Sequence, residues 1–393
     1  MASLSLTHAS RRLLTPSLSF SQLRTRIIKN LAFDSQFMSR SFSRKNSVLL
    51  SSNFRTRIAC MLRTASPGGK DDQKPSGETE KVGGVSSWID YLPREIQSYA
   101  KLARVEKAIG TWLLIWPFAW SATLAAPTGS LPDFKTLALF ASSAPLLRGA
   151  ACTINDILDR DIDRMVERTK LRPIASGAVT PFQGLCFFAF QLILSHGILL
   201  QLINYRSLDS LLLASTCKLV PIYEASLIFL MATYPLMKRF TYWASAYLGL
   251  TINWGTLFGS YAIKASLIPS ILLPLYMSGI FWSLVYNTIY AHQDKEDDNK
   301  VGVKSTALKF GDSSKEWITA FAIACISSLA LSGYNAEIGW PYYVFLAAAS
   351  GQLAWQIGTA NLSSPADCSR KFVSNKWFGA LTFGGVLLGR VFP

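Results

Sequence analysis

The sequence predicts an all-α membrane protein with about nine transmembrane helices, and three observations support this prediction. Half of the 393 residues are hydrophobic and only 16% are charged, a composition that suits a chain crossing a membrane many times. Apolar runs of nearly 20 residues recur from Ala108 onward, and a helix of that length crosses the roughly 30 Å hydrocarbon core of a bilayer. The polar connections between these runs differ strongly in charge, which assigns them to two faces.

Nine apolar runs define the predicted spans in chain order, and the last of them has the weakest pattern. They cover residues 108–126, 134–155, 182–204, 208–237, 242–263, 267–291, 316–334, 340–360 and 376–392.

The fourth run is an exception to this regularity. Residues 208–237 would form a helix of about 45 Å, too long for one ordinary span and too short for two, and Lys218, Pro221 and Glu224 interrupt it. We interpret it as one span with extra residues. A charged side chain at the bilayer centre costs roughly 2.5 to 3.5 kcal/mol, so we expect a kink or an exposed loop between residues 216 and 228.

The loops after the second, fourth and sixth runs carry nearly all of the loop charge, while the alternate loops are short and almost uncharged. Even-numbered loops therefore share one face, and their many Lys and Arg residues place that face on the positive side of the membrane. In a mitochondrial inner membrane this side is the matrix.

The basic excess of the chain is concentrated at its N-terminus. The formal net charge is +15, but residues 1–70 contain twelve Lys or Arg and one acid, so the remainder has a net charge of only +4. This distribution argues against a nucleic-acid-binding protein. A leader rich in Ser and Arg is typical of an organellar transit peptide, predicted here over 1–65 and interpreted as mitochondrial. A flexible linker over 66–90 and a membrane domain over 91–393 follow.

An acidic motif begins where the second run ends. Asp156, Asp159 and Asp163 are spaced i, i+3, i+7 and share one helix face, with Asn155 beside them. Carboxylates this close repel one another, so a cation should neutralise them. Oxygen ligands of this kind favour Mg²⁺. The alternative is a solvated helix end whose acids pair with neighbouring arginines.

A second acidic motif follows the sixth run. Asp294, Asp297 and Asp298 are spaced i, i+3, i+4, and four spans separate them from the first motif, so both emerge on the same face. Two such motifs on facing helices are what a diphosphate requires, because its negative charges need two or more Mg²⁺ ions.

Basic residues on or near the same face complete the charge balance. Their cationic groups are suited to phosphate oxygens, although anchoring of helices on the positive side would also place Lys and Arg there. The candidates are Arg148, Arg160, Arg168, Arg172, Lys238, Arg239 and Lys304.

The two acidic motifs resemble the signatures of the UbiA superfamily of intramembrane prenyltransferases. The motifs read Asn155-Asp156-x-x-Asp159-x-x-x-Asp163 and Asp294-x-x-x-Asp298. Within this superfamily, five further segments are most similar to those of 4-hydroxybenzoate polyprenyltransferases of ubiquinone biosynthesis. They are Arg104-x-x-Lys107-x-x-Gly110, Arg148-Gly149-Ala150, Arg168-Thr169-x-x-Arg172-Pro173, Tyr234-Pro235-Leu236-Met237-Lys238-Arg239 and Gly302-Val303-Lys304-Ser305-Thr306.

The resemblance implies a nine-helix bundle around a central cavity, with a diphosphate site at one face and an apolar tunnel that opens to lipid. It implies that Asn155 supports the Mg²⁺-diphosphate site and that Lys238, Arg148 and Tyr234 steady the leaving diphosphate. We expect Arg239 to bind the aromatic carboxylate. The implied metal ligands are Asp156, Asp159, Asp163, Asp294 and Asp298, and further substrate contacts are expected from Arg104, Lys107, Arg160, Arg168 and Lys304.

The implied reaction is electrophilic aromatic substitution of 4-hydroxybenzoate by a polyprenyl diphosphate. Loss of diphosphate gives an allylic cation, the ring carbon ortho to the hydroxyl attacks it, and an aspartate then takes the proton that this ring carbon loses. Asp294 is expected to polarise the phenol, with Asp156, Lys238 and Tyr234 as further catalytic residues. A membrane interior excludes water that would otherwise hydrolyse the cation.

Three alternatives remain open at this point. A relative acting on homogentisate shares the acidic motifs, and a geranyl-specific hydroxybenzoate transferase differs in tunnel depth, which packing determines. A transporter also uses many spans, but its ionisable groups usually lie near the midplane rather than at two helix ends on one face. Residues 216–228 depart from the family by lengthening the fourth span.

Overall fold

A computed structural model describes residues 88–205, 210–264 and 267–393, with the side chains of 202–220 outside the description. The predicted transit peptide and nearly all of the predicted linker lie outside the described residues, so both stay predictions. All regular secondary structure in the described ranges is helical, which confirms the predicted class.

The helices follow one another through short connections in the described ranges, apart from the charged loop over residues 164–180. In chain order they are α1 (Arg94–Leu102), α2 (Ile109–Leu124), α3 (Phe134–Leu158), α4 (Arg160–Asp163), α5 (Pro181–Tyr205), α6 (Ser210–Phe240), α7 (Ala244–Ile252), α8 (Gly255–Lys264), α9 (Pro269–Ala291), α10 (Lys295–Val301), α11 (Thr306–Phe310), α12 (Ser314–Asn335), α13 (Pro341–Gly358) and α14 (Pro365–Val391).

Each predicted span coincides with a helix in this part of the chain, and the fifth is divided between α7 and α8. The division falls beside Asn253, whose amide nitrogen donates to the backbone oxygen of Gly249 and to Ser283 on α9. The apolar run of the fifth predicted span therefore corresponds to two helices that meet at Asn253. Within the described residues, four stretches are long and apolar enough to cross a membrane on their own. These are Phe134–Leu158, Pro181–Gln201, Pro269–Val301 and Thr306–Asn335.

The fourth span is a single helix, α6, which continues through Pro221 and Pro235. Of the kink or exposed loop expected between 216 and 228, the exposed loop is therefore wrong and the kink stays a prediction. Glu224, one of the charges that suggested a loop, pairs with His196 on α5, and its side chain is only 15% exposed. A partner on another helix thus reduces the cost of placing this carboxylate in an apolar segment, and α6 is one continuous helix, as the two-face assignment requires.

The first and last spans pack side by side and close the bundle. Trp120 on α2 donates its indole N–H to the backbone oxygen of Gly379 on α14 at 3.0 Å. Trp116 lies so close to Gly379 that a Cβ there would overlap its ring. Near the end of α14, the buried Arg390 donates to the backbone oxygen of Ala126 at 2.8 Å. The absence of a side chain at Gly379 and the hydrogen bond made by Arg390 thus permit close packing of α2 and α14 in an apolar environment.

Candidate active site

A cavity of about 600 Å³ lies inside the bundle. Its walls come from α2, α3, α6, α7, α9 and α14 and from the loops before α2 and after α4 and α10. One end contains residues of both acidic motifs, and the other is lined by side chains such as Leu113, Leu147 and Ile252. The two motifs, whose first aspartates Asp156 and Asp294 are 138 residues apart in the chain, therefore meet at one cavity with a charged end and an apolar end.

The first acidic motif is placed by the end of α3 and the short helix α4. Backbone hydrogen bonds from Asp159 to Asn155 at 2.9 Å and from Asp163 to Asp159 at 2.8 Å continue the helical path across the junction. Asp156, Asp159 and Asp163 therefore share a buried face, with exposures of 0%, 2% and 5%. Asn155, Asp159 and Asp163 line the cavity, whereas Asp156 does not.

Two arginines neutralise Asp156 and Asp163. Asp156 Oδ1 accepts hydrogen bonds from Arg104 at 2.6 Å and from Arg172 at 3.2 Å, and Arg172 also donates to Asp163 at 2.7 Å. Burial raises the pKa of Asp163, and the Arg172 guanidinium opposes this effect. Arg104 has a φ of 57°, in the left-handed region. A non-glycine residue held in this region often marks a functional site.

Lys238 and Tyr234 occupy the last turns of α6 and line the cavity together. The Lys238 ammonium lies 3.0 Å from Asp159 Oδ2 and 5.3 Å from the centre of the Tyr234 ring, a distance typical of a cation–π contact. The backbone N–H of Lys304 donates to the oxygen of Lys238 at 2.9 Å. This bond ties the loop after α10 to the end of α6 and brings Lys304 to the cavity wall.

The second acidic motif is held by the loop that follows the first. Arg168 binds Asp294 through two hydrogen bonds of 2.7 and 2.6 Å, and its guanidinium lies 5.5 Å from the Tyr290 ring centre. Asp298 also lines the cavity. Burial and the nearby Asp294 raise the pKa of Asp298 to about 6. Carboxylates from the two motifs and the bases between them thus form one charged network.

Two predicted binding residues, Arg239 and Arg160, do not line the cavity. Arg239 donates instead to the backbone oxygen of Leu158 at 2.8 Å, at the C-terminal end of α3. Arg148 does line the cavity, as does Lys107, and the buried Nε of Arg148 has no hydrogen-bond partner within the described structure. The geometry therefore favours Arg148 over Arg239 as a free cation near a substrate.

Some cavity residues were absent from the sequence-based selection. Tyr286 and Tyr290 line the cavity from α9, and their four-residue spacing toward Asp294 was a usable signal for a shared face. Lys376 lines the cavity from α14. Its isolated charge beside the weak ninth run also offered a signal, because ionisable residues in spans are often functional.

The donor set fits a divalent metal in chemical type. Asp159, which lines the cavity, has a buried Oδ1 without a hydrogen-bond partner in the described residues, and carboxylate oxygens suit Mg²⁺. In those same residues, however, no three His, Cys, Asp or Glu side chains are already gathered where they could hold a metal ion. Arginine and lysine groups neutralise the carboxylates in this arrangement.

A model of the UbiA prenyltransferase family matches residues 114–381, a range that includes both acidic motifs. The chain belongs to the UbiA prenyltransferase family. This membership confirms the resemblance found in the sequence and identifies the chain as an intramembrane prenyltransferase.

Named UbiA-family relatives are similar over most of the chain. The mitochondrial 4-hydroxybenzoate polyprenyltransferase of Arabidopsis thaliana is 60% identical over 343 residues, which are 86% of this chain and 80% of that protein. The 4-hydroxybenzoate geranyltransferase 2 of Lithospermum erythrorhizon is 57% identical over 314 residues, which are 80% of this chain and 97% of that protein. The chain is thus strongly similar both to a relative named as a polyprenyltransferase and to one named as a geranyltransferase.

Solved UbiA homologues share the fold. The apo structure of a homologue from Aeropyrum pernix K1 has a TM-score of 0.56 at 20% identity and covers 70% of this chain and 97% of that one. A homologue from Archaeoglobus fulgidus bound to GPP and Mg²⁺ has a TM-score of 0.51 at 16% identity and covers 74% of this chain and 99% of that one. These likenesses support the predicted helical bundle.

Proposed function

We propose that this chain transfers a polyprenyl group from polyprenyl diphosphate to the ring carbon of 4-hydroxybenzoate ortho to the hydroxyl, an early step of ubiquinone biosynthesis. One observation carries the proposal: two acidic motifs and their basic partners meet at the charged end of a cavity whose other end is apolar. The names of relatives up to 60% identical support the choice of acceptor.

The charged end would bind the donor diphosphate. Asp159, Asp163, Asp294 and Asp298 line it and would hold Mg²⁺, with Asn155 beside them. Bound Mg²⁺ supplies positive charge that neutralises the diphosphate and makes it a better leaving group.

The arginine and lysine side chains that pair with these carboxylates would bind the phosphate oxygens of the donor. Arg168, Arg172 and Lys238 each pair with a carboxylate of the site at 3.0 Å or less, so a metal ion taking over those carboxylates would free them. Arg and Lys side chains bind phosphate through strong charge-assisted hydrogen bonds. Asp156 would contribute by positioning Arg104 and Arg172, because it contacts both and does not line the cavity.

The remaining walls would protect the allylic cation. Tyr286 and Tyr290 present aromatic groups to the cavity close to Asp294, and aromatic faces attract cations. Apolar side chains beyond them exclude water that would otherwise trap the cation. Asp294 remains our candidate for the carboxylate that polarises the phenol.

Arg148 would bind the carboxylate of 4-hydroxybenzoate. It lines the cavity and has a buried Nε without a partner in the described structure, whereas Arg239, the residue first expected in this role, is engaged with Leu158. A guanidinium and a carboxylate form a strong bidentate pair. Pairing of Arg148 with the carboxylate of 4-hydroxybenzoate would therefore fix the orientation of the acceptor in the cavity.

We place the enzyme in the mitochondrial inner membrane with its charged end toward the matrix. The basic leader and relatives named as mitochondrial support the organelle. Loops rich in Lys and Arg at the charged end support the orientation.

A product assay in membranes tests the proposal. With Mg²⁺ present, labelled polyprenyl diphosphate and 4-hydroxybenzoate should give a ring-prenylated acid, and Asp159→Asn should abolish it. Asp312→Asn is the matched control, because Asp312 is exposed and does not line the cavity. Preference for homogentisate would reassign the acceptor, and uptake of label without product would favour transport.

A further inference from the structure

The guanidinium of Arg148 lies in space that a glycine on the neighbouring helix leaves free. Gly110 is buried in the first turn of α2 and lines the cavity, as does Arg148 on α3. The three atoms nearest to a Cβ at Gly110 would all belong to Arg148, namely Nε, Cζ and Nη2. Cζ and Nη2 would lie 2.7 Å from that Cβ and Nε closer still, well inside the distance at which non-bonded atoms attract. The guanidinium therefore occupies the volume that a side chain at position 110 would need.

The backbone of α2 does not itself require glycine at position 110. Gly110 lies within a regular helix, where alanine is more favourable than glycine. It is also not among the described glycines with a positive φ, so no left-handed turn explains it. The close approach of Arg148 is thus the feature of the structure that accounts for a residue without a side chain here.

The position of this guanidinium suits the acid group of an aromatic acceptor. Arg148 lies seven residues before Asn155 on α3, which places it about 10 Å along the helix from the first acidic motif. This distance leaves room for an aromatic ring between the guanidinium and the charged end. Packed against α2, the guanidinium stays at the cavity wall and leaves the interior to the ring.

We propose that Gly110 is a positioning residue for the acceptor, which acts through Arg148 by letting its guanidinium pack against α2, where it pairs with the carboxylate of 4-hydroxybenzoate and selects acceptors that carry an acid group. The inference rests on the proposed function and explains why position 110 excludes side chains. A Cβ there displaces the free end of a flexible side chain rather than a backbone. The change therefore affects where the acid group binds more than whether the chain folds.

Alanine at position 110 tests the proposal. Gly110→Ala should raise KM for 4-hydroxybenzoate by about tenfold or more, because a displacement of about 1 Å in a substrate-positioning group is costly, while KM for polyprenyl diphosphate changes little. The melting temperature in detergent should also change little, since alanine favours the helix. An unchanged KM for the acid would overturn the proposal.

Gly255→Ala is the matched control for this substitution. Gly255 is also buried in the first turn of a helix, α8, but it does not line the cavity. The nearest atom to a Cβ there would lie 3.4 Å away, which is ordinary contact. Both KM values should therefore stay as in the wild type, and a rise in KM for the acid equal to that of Gly110→Ala would overturn the proposal.

A double-mutant cycle shows whether Gly110 acts through Arg148. In an Arg148→Ala background, Gly110→Ala should raise KM for the acid no further, because the group that it displaces is absent. A further rise as large as in the wild-type background would overturn the proposal, since Gly110 would then act on the helix or the cavity alone.

Equilibrium binding gives a reading where a variant has no turnover. Labelled 4-hydroxybenzoate should bind the purified full chain, with Mg²⁺ and inorganic diphosphate present, more weakly in Gly110→Ala than in Gly255→Ala. Equal binding by these two variants would overturn the role of Gly110 and leave the proposed function standing. Weaker binding in Gly110→Ala together with a wild type that never prenylates the acid would support the acid site and refute the proposed transfer.

Discussion

The two acidic motifs look alike in sequence but differ in their surroundings. Asp156 of the first has no exposed side-chain surface and pairs with two arginines, Arg104 and Arg172. Asp294 of the second has a side chain 15% exposed and pairs with one arginine, Arg168. The first motif lies at the C-terminal end of the long helix α3 and on α4, whereas the second lies on short helical turns that follow α9. We infer that the first motif supports the architecture as well as the chemistry, and that the second serves mainly the chemistry.

The largest expected effect is at Asp156, and it tests this difference directly. Asp156→Ala leaves two partly buried arginines without their shared carboxylate, and breaking a buried ion pair costs about 3–5 kcal/mol. We expect prenyl transfer to be abolished and the melting temperature in detergent to fall markedly, with the protein still inserted in membranes. A wild-type melting temperature would contradict the structural role of the first motif.

Asp294→Ala should separate activity from stability. Its partner Arg168 is 34% exposed at the side chain, so water can solvate the freed guanidinium and the stability loss should be below about 1 kcal/mol. Transfer should still fall by about a hundredfold or more, because a group acting on the developing charge is lost. Turnover and melting temperature measured on one preparation check this. Turnover like that of the wild type would refute the assignment of Asp294.

Binding of 4-hydroxybenzoate should depend on Arg148, which lines the cavity from α3. We expect Arg148→Ala to raise KM for 4-hydroxybenzoate by about tenfold or more, since a hydrogen bond to a charged group contributes about 1.5–3 kcal/mol, with KM for the diphosphate little changed. Arg239→Ala is the matched control and should change both values little. The reverse result, with the acceptor lost only in Arg239→Ala, would restore the original assignment of Arg239.

The smallest effect concerns pH and the second motif. Because burial and Asp294 raise the pKa of Asp298 to about 6, Asp298 gains a proton as pH falls through this value, and the proton competes with a divalent cation. The Mg²⁺ concentration for half-maximal activity should therefore rise several-fold between about pH 7 and pH 5. Asp298→Asn should need more Mg²⁺ at pH 7 and show a flatter dependence. An equally steep dependence in that variant would assign the titration to another group.

The features that could be predicted from the sequence are those imposed by the bilayer and by charge. Apolar length predicted the spans because a membrane has a fixed thickness, and loop charge predicted that both acidic motifs lie at one face. The exposed loop, one of the two alternatives expected near Glu224, was wrong because the partner of Glu224, His196, is 28 residues away on another helix. No local pattern indicates such a pair.

The orientation of individual side chains also could not be predicted from the sequence. Adjacent residues on a helix point about 100° apart, so the pattern at the end of α6 showed that Lys238 and Arg239 could not share a direction but not which of them would face the cavity. The break at Asn253 was hidden for a similar reason, because the residues on both sides of it are apolar and the amide's partners lie in the folded bundle.

The contact between the first and last spans has a consequence for truncated forms. Gly379 and Arg390 of α14 bond to Trp120 and Ala126, which lie 259 and 264 positions earlier in the chain, and α14 also lines the cavity. A form of the chain that lacks α14 would therefore leave the reaction chamber open beside α2 and admit water that hydrolyses an allylic cation.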